Sequence, residues 1–232
     1  MGLVNIQNTN FDNGVTNRNA ADLFGSMGHL DPTKFHIFMD DFDLFTAPGG
    51  YTAPATGSVA PADSLGGAVD IITGAVDTNV AIIQAVSLGY SVVASQRLYF
   101  RSKAEMDDVI DADGIWGLND AAASITPADG IFFEKTDAAA VVDLVVRSGA
   151  VEIARASTVA TMVAATQLTL EFYWDGIDRV YFGTDGTATG FIDLAGLALP
   201  TGLLAPTAGA VTGNASTTTV TQDYLFASQE RG

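Results

Sequence analysis

Residues Leu168 to Leu194 read LTLEFYWDGIDRVYFGTDGTATGFIDL. Leu168, Leu170, Phe172 and Trp174 alternate with Thr169, Glu171 and Tyr173, the period of two expected of a strand with one buried face. Asp175-Gly176 then interrupts the pattern, and Asp-Gly between two such runs favours a type I′ turn, because both central residues must accept positive φ. Ile177 to Gly183 is the returning strand, Asp185-Gly186 repeats the device, and Thr189 to Leu194 comes back a third time. The stretch is an antiparallel meander, and its natural container is an all-β protein.

The flanking sequence extends the series. Gly67–Thr73, Asn79–Ala85, Arg97–Ser102, Ile115–Asn119, Ile131–Lys135, Ala139–Arg147 and Val151–Ala156 are strand candidates, and Ser148-Gly149 marks a second hairpin. Phe35 to Phe45, FHIFMDDFDLF, opens the folded part, and Thr217 to Ala227, TTTVTQDYLFA, suits a final strand. Between them, Thr46–Gly67 and Ala195–Gly213 are rich in Gly, Pro, Ala and Thr and read as long loops. Lys103 to Ile110, KAEMDDVI, is the one short helix predicted for the folded part. Short strands with few helices predict a two-sheet antiparallel jelly-roll sandwich over residues 35–232.

Residues 1–34 behave differently. MGLVNIQNTNFDNGVTNRNAADLFGSMGHLDPTK is dense in Asn, and its apolar residues follow neither a helical nor a strand period, apart from a short stretch from Asn19 to Met27 that suits a turn or two of helix. The segment cannot bury enough apolar surface by itself to offset its ordering entropy. It is an N-terminal arm: either a disordered terminus, or one whose spaced anchors Ile6, Phe11, Leu23 and Phe24 dock on another protein.

Composition bounds the function. Twenty-seven acidic residues against ten basic ones give a formal net charge of −17, so the Lys and Arg clusters that phosphate contacts require are absent and nucleic acid is excluded as a partner. The acidity fits solubility in bulk solution or a salt-rich environment. There is no Cys, hence no disulfide framework and no Cys-based metal site. No signal peptide or membrane span is read, since the apolar region Leu194–Val211 is broken by Pro200 and Pro206.

No reaction is legible either. Only His29 and His36 are available as imidazole bases, and no G-x-S-x-G elbow, P-loop or G-x-G-x-x-G is present. Retaining glycosidases need two carboxylates about 5 Å apart. Glu105, Glu134, Glu152, Glu171 and Glu230 lack that pairing, and Asp41 and Asp43 lie at a strand end. The expectation is a chain that is not an enzyme and has no cofactor. Asp40, Asp41 and Asp43, and the run Asp111–Gly114, lack the spacing of a calcium loop and read as solvated acids and a turn. Aromatic side chains stack on sugar faces, which leaves Trp116, Tyr173 and Tyr181 as ligand-facing candidates. Trp174 shares the parity of Leu170 and Phe172 and belongs to the core.

Taken together, the Asn-rich opening NIQNTNFDNGVTNRNAADLFGSMGHLDPTKFHIFMDDF, the strand-turn-strand LTLEFYWDGIDRVYFGTDG and the closing TVTQDYLFA resemble bacteriophage capsid decoration (cement) proteins with a concanavalin A-like jelly roll. The resemblance is one of layout. It implies that LEFYWDGIDRVYFGTDG lies within one of the two sheets and that Phe35–Asp41 runs beside Val220–Phe226. It also implies a homotrimeric virion protein on the capsid surface, with the major capsid protein as partner. A carbohydrate-binding receptor protein or tail adhesin on the same fold is the alternative.

Overall fold

The computed structural model describes residues 33–45, 49–62, 66–87, 89–121 and 124–232. The arm anchors Ile6, Phe11, Leu23 and Phe24, and the helical turn expected around Asn19, lie outside the described residues. In chain order the strands are β1 (Phe35–Asp40), β2 (Ser58–Pro61), β3 (Val69–Ile72), β4 (Val80–Gln84), β5 (Leu98–Met106), β6 (Ala112–Asn119) and β7 (Gly130–Lys135). They continue with β8 (Val141–Ser148), β9 (Val151–Thr161), β10 (Leu168–Trp174), β11 (Arg179–Thr184), β12 (Thr187–Asp193), β13 (Ala205–Thr212) and β14 (Thr219–Glu230). No helix occurs among the described residues.

The strands form two antiparallel sheets. One has eight strands in the order β12-β11-β10-β5-β14-β3-β2, with β1 also paired to β14; the other has six in the order β4-β13-β6-β7-β8-β9. This is the jelly-roll sandwich that the alternating sequence predicts. The meander from Leu168 forms one edge of the larger sheet, and β1 lies against β14 with Phe35 opposite Glu230 and Asp40 opposite Leu225.

The core between the sheets is made by every second residue. Phe100, Phe172 and Trp174 from the larger sheet meet Trp116, Leu118, Phe133 and Leu144 from the smaller, all fully buried. Phe100 and Phe172 stack with their ring centroids 5.2 Å apart. Burying each such side chain stabilises the fold by roughly 1.5–3 kcal/mol.

Three sequence expectations need correction. The helix over Lys103–Ile110 is instead the end of β5, up to Met106, followed by the β5–β6 connection: Ser102, Ala104 and Met106 alternate inward with Arg101, Lys103 and Glu105, and the tertiary demand of a central strand overrides local helix propensity. Both expected long loops contain a strand: Thr46–Gly67 holds β2, paired to β3, and Ala195–Gly213 holds β13, a central strand between β4 and β6. Its small residues are there for space, since Ala208 lies directly opposite Trp116 in the neighbouring strand and Gly209 opposite Ile82 and Ile115. Low β propensity in APTAGAVT records large partners rather than a loop.

The third correction concerns the turns. Asp185 and Gly186 have φ of 50° and 79°, as the type I′ turn requires, but the Asp175-Gly176 connection is a four-residue loop. There the Asp175 Oδ1 accepts the backbone N–H groups of Ile177, Asp178 and Arg179 at 2.8–3.1 Å. The β8–β9 hairpin turns one residue later than expected, on Gly149 and Ala150 with φ of 58° and 67°.

Gly117 shows how closely the strands approach. A Cβ placed on it would lie 2.5 Å from the Ile131 carbonyl oxygen and from the Phe132 Cα, both on the rigid backbone of β7. Gly117→Ala is therefore expected to destabilise the domain by about 1–3 kcal/mol, the range for overpacking, read as a lower urea midpoint at unchanged slope.

Candidate functional site

The six-stranded sheet presents its second face away from the core, and strand register lays out what stands on it. Gln84, Thr207, Gly117, Phe132 and Val145 form one row across β4, β13, β6, β7 and β8. Ile82, Gly209, Ile115, Glu134 and Asp143 form the next. Ile82, Ile115, Phe132 and Val145 pack into a buried apolar cluster that Ile125, from the β6–β7 connection, joins. Asn119, beside this cluster, is fully buried with neither amide atom hydrogen-bonded.

At the β9 edge of that face one guanidinium gathers three carboxylates. Arg155 donates from Nη2 to Glu134 at 2.6 Å and to Glu152 at 2.7 Å, and from Nη1 to Asp143 at 2.7 Å. The hydrogen bond from Arg155 holds the Glu152 carboxyl below the usual range, and the same contacts push Arg155 further up. Glu152 is consequently an acceptor and not a proton donor near neutrality. This cluster is not legible in the sequence because its members come from three strands; its one local signal is Glu134 at the parity of Phe132, outside the core.

The eight-stranded sheet carries a different outer face. Tyr99 lies opposite Tyr173, Tyr173 opposite Tyr181, and Tyr181 opposite Phe191, on β5, β10, β11 and β12 in turn. Phe226 of β14 extends the row with its ring 5.9 Å from that of Tyr99, and the Tyr173–Tyr181 and Tyr181–Phe191 centroids are 6.2 and 5.7 Å apart. Cross-strand aromatic pairs of this kind stabilise a sheet. The row grades from buried to open: Tyr99 is inaccessible, Tyr181 half-buried, and Phe191 at the edge is 51% exposed with Arg179 stacked 4.9 Å over its ring. Burial pushes the Tyr173 phenol up, and its hydrogen bond with Arg97 opposes that shift.

Tyr173 and Tyr181 therefore stand side by side on the outer face, as their parity indicates, but Tyr173 is buried among Phe35 and Tyr99 and only Tyr181 is partly open. Trp116 does not join them: expected to face a ligand, it is instead fully buried between the sheets. Phe191, at the open end of the row, lies on the third strand of the meander and joins the row only through its register with Tyr181.

Asp41 and Asp43 lie in the connection after β1, but the run Asp111–Gly114, expected as a turn, is corrected: Ala112, Asp113 and Gly114 open β6 and pair with Thr212, Val211 and Ala210 of β13. Asp40 accepts the Phe42 N–H at 2.8 Å and the Tyr51 hydroxyl at 2.9 Å, beside a cleft of about 570 Å³ that Asp41 and Asp43 also line. Asp108 accepts the Ile110 and Asp111 N–H groups at 3.0 and 2.9 Å. Beyond them Lys135, fully buried, donates to the Ala112 carbonyl, and burial pushes its ammonium down.

No protein-family model matches the sequence, and no curated protein does. Solved structures do share the fold. A β-1,3-1,4-glucanase (lichenase) from a mouse hindgut metagenome is 8% identical at a TM-score of 0.61, over 82% of this chain and 98% of its own. A Shewanella oneidensis protein of unknown function is 11% identical at 0.60, over 85% and 87%. An endo-β-1,4-glucuronan lyase from Trichoderma reesei is 10% identical at 0.58, over 82% and 94%. The concanavalin A-like sandwich is thus the fold of this chain. The expectation that the chain is not an enzyme is corrected by the same finding. That expectation rested on missing signature motifs, and proteins of this fold include glucanases and a lyase with almost no sequence in common with it.

Proposed function

We propose that the chain is a structural virion protein that binds the outer surface of a bacteriophage capsid and cements neighbouring major capsid subunits. The observation that supports this reading is the outer face of the eight-stranded sheet. Tyr181, Phe191 and Arg179, with Met39 and Ile37 exposed on β1 of the same sheet, make up the inventory of Tyr, Phe, Met and Arg that protein interfaces concentrate. A partner that binds only the assembled shell stabilises it by mass action. Three copies closed around a local threefold position would present this face at every seam without leaving an open end.

The arm anchors Ile6, Phe11, Leu23 and Phe24 are the proposal's second hold, and their ordering on a coat subunit offsets its own entropic cost. Deleting residues 1–34 is expected to leave the melting temperature within a few degrees of the full chain while weakening attachment to capsids. An unfolded or aggregated truncation would assign the arm to the domain's own core, and full occupancy by the truncated chain would dismiss the docking role. Electron micrographs of labelled particles test the reading itself: signal on the shell supports it, and signal confined to the tail sinks it.

A glycan-directed role is the second reading, and the fold shared with glucanases and a lyase favours it. A glycan array together with release of reducing ends from β-glucans separates the two. Specific binding lost in Tyr181→Ala, or turnover of any of these polymers, would transfer the assignment to this reading.

A further inference from the structure

We infer that the sandwich stands end-on, with the β4–β5, β8–β9, β10–β11 and β12–β13 connections seated on the protein shell; this rests on the decoration reading. Register places these connections together. Leu98 lies opposite both Trp174 and Gln229 in the larger sheet, and Asn119 opposite both Ala205 and Gly130 in the smaller. The sheets join at this end through the Tyr90–Leu204 bridge, the Ser148 hydroxyl on the Leu199 carbonyl at 3.0 Å, and the Trp174 indole N–H on the Val93 carbonyl at 3.1 Å.

Two features single out this end. Val86, Val93, Ile177, Leu197 and Leu203 on its connections and Val151 at the start of β9 are all exposed, Ile177 at 74% and Leu203 at 58%, whereas Ile110, Val163 and Val76 stand on the opposite connections and Leu44 on the connection after β1. An apolar cluster of this extent on loop tips marks an interaction site.

The second feature is where the chain enters. Residues 1–32 lie outside the described part, and the fold begins at this end: Arg231 donates its backbone N–H to the Lys34 carbonyl at 2.8 Å, and Phe35 pairs with Glu230. An arm that reaches a coat subunit and loop tips that rest on it then share one contact, and the effective concentration of each is raised by the other.

The test uses full-length chain, and phage particles stripped of it. Ile177→Ser with Leu203→Ser should lower capsid affinity by about tenfold or more, since each replaces a buried aliphatic contact, at an unchanged melting temperature because both sites are exposed in the free protein. Ile110→Ser with Val163→Ser, at the other end, should bind as the unaltered chain does. Equal binding by the first pair and the unaltered chain overturns the end-on arrangement alone. Failure of the unaltered chain to bind overturns the decoration reading and the arrangement with it. A change in sedimentation of the first pair without a change in capsid affinity would make this end an interface between copies, and would also overturn the proposal.

Discussion

Trp116→Ala is expected to lower the stability of the domain by about 3–5 kcal/mol, the range for truncating a fully buried tryptophan. In a domain of this size that is a fall of roughly 10 °C or more in melting temperature. The loss is of volume and contact: the indole lies between the sheets with Ala208 opposite it, and β13, flat with alanine and glycine, has nothing with which to fill the gap. Trp116→Phe should cost far less, because the indole N–H has no hydrogen-bond partner to lose. Thermal melts of the two variants check this; equal losses would mean that the position is held by something other than packing volume.

Arg155→Ala is the second large effect. Removing the guanidinium leaves Glu134 buried beside Asp143 and Glu152 with no counter-charge, which is expected to cost about 2–4 kcal/mol. That is the range for breaking a buried pair, reduced because 28% of the arginine side chain remains in water. The pH dependence has a definite sign. The folded-state pKa of Glu152 is lowered by Arg155, so its contribution is present above the unfolded carboxylate value near 4.3 and is lost as pH falls through the lower folded value. The variant should therefore show a shallower loss of stability below about pH 4.3 than the unaltered chain. Glu230, lowered by its hydrogen bond from Arg97, keeps part of the acid limb in both proteins. Urea midpoints at pH 7 and pH 3.5 measure both effects, and a variant that loses nothing at pH 7 would show the three carboxylates to be solvated without the arginine.

These two sites mark where the sequence could and could not be read. The alternation from Leu168 to Trp174 assigns faces without reference to any other part of the chain, so the buried Trp174 and the outward Tyr173 were both legible. Asp185-Gly186 sets its own turn for the same local reason. The strand β13 was illegible because its residue types answer to Trp116, Ile82 and Ile115, far away in sequence, rather than to the strand's own preference. Arg155 and its three carboxylates were hidden in the same way, since their proximity depends on the register of β7, β8 and β9. The outer aromatic row was half visible: Tyr173 and Tyr181 follow from the meander, whereas Tyr99 joins them only once β5 is known to lie beside β10. Function was least legible, because a face that binds a partner is defined by what the fold assembles on it and by no local motif.

The position of β14 sets when this protein can fold. One side of the strand is paired along β5, and the other is shared between β3 and β1, so residues 219–230 complete the larger sheet on both sides at once. During synthesis β1, β3 and β5 leave the ribosome long before their common neighbour, with unpaired edges and the apolar side chains of Val69, Ile71, Leu98 and Phe100 uncovered. Pairings of such sequence separation make for slow folding, and exposed strand edges invite association with other nascent chains. The larger sheet can accordingly close only once residues 219–230 are available to pair on both sides. Premature termination before Thr219 should yield insoluble material rather than a smaller folded domain.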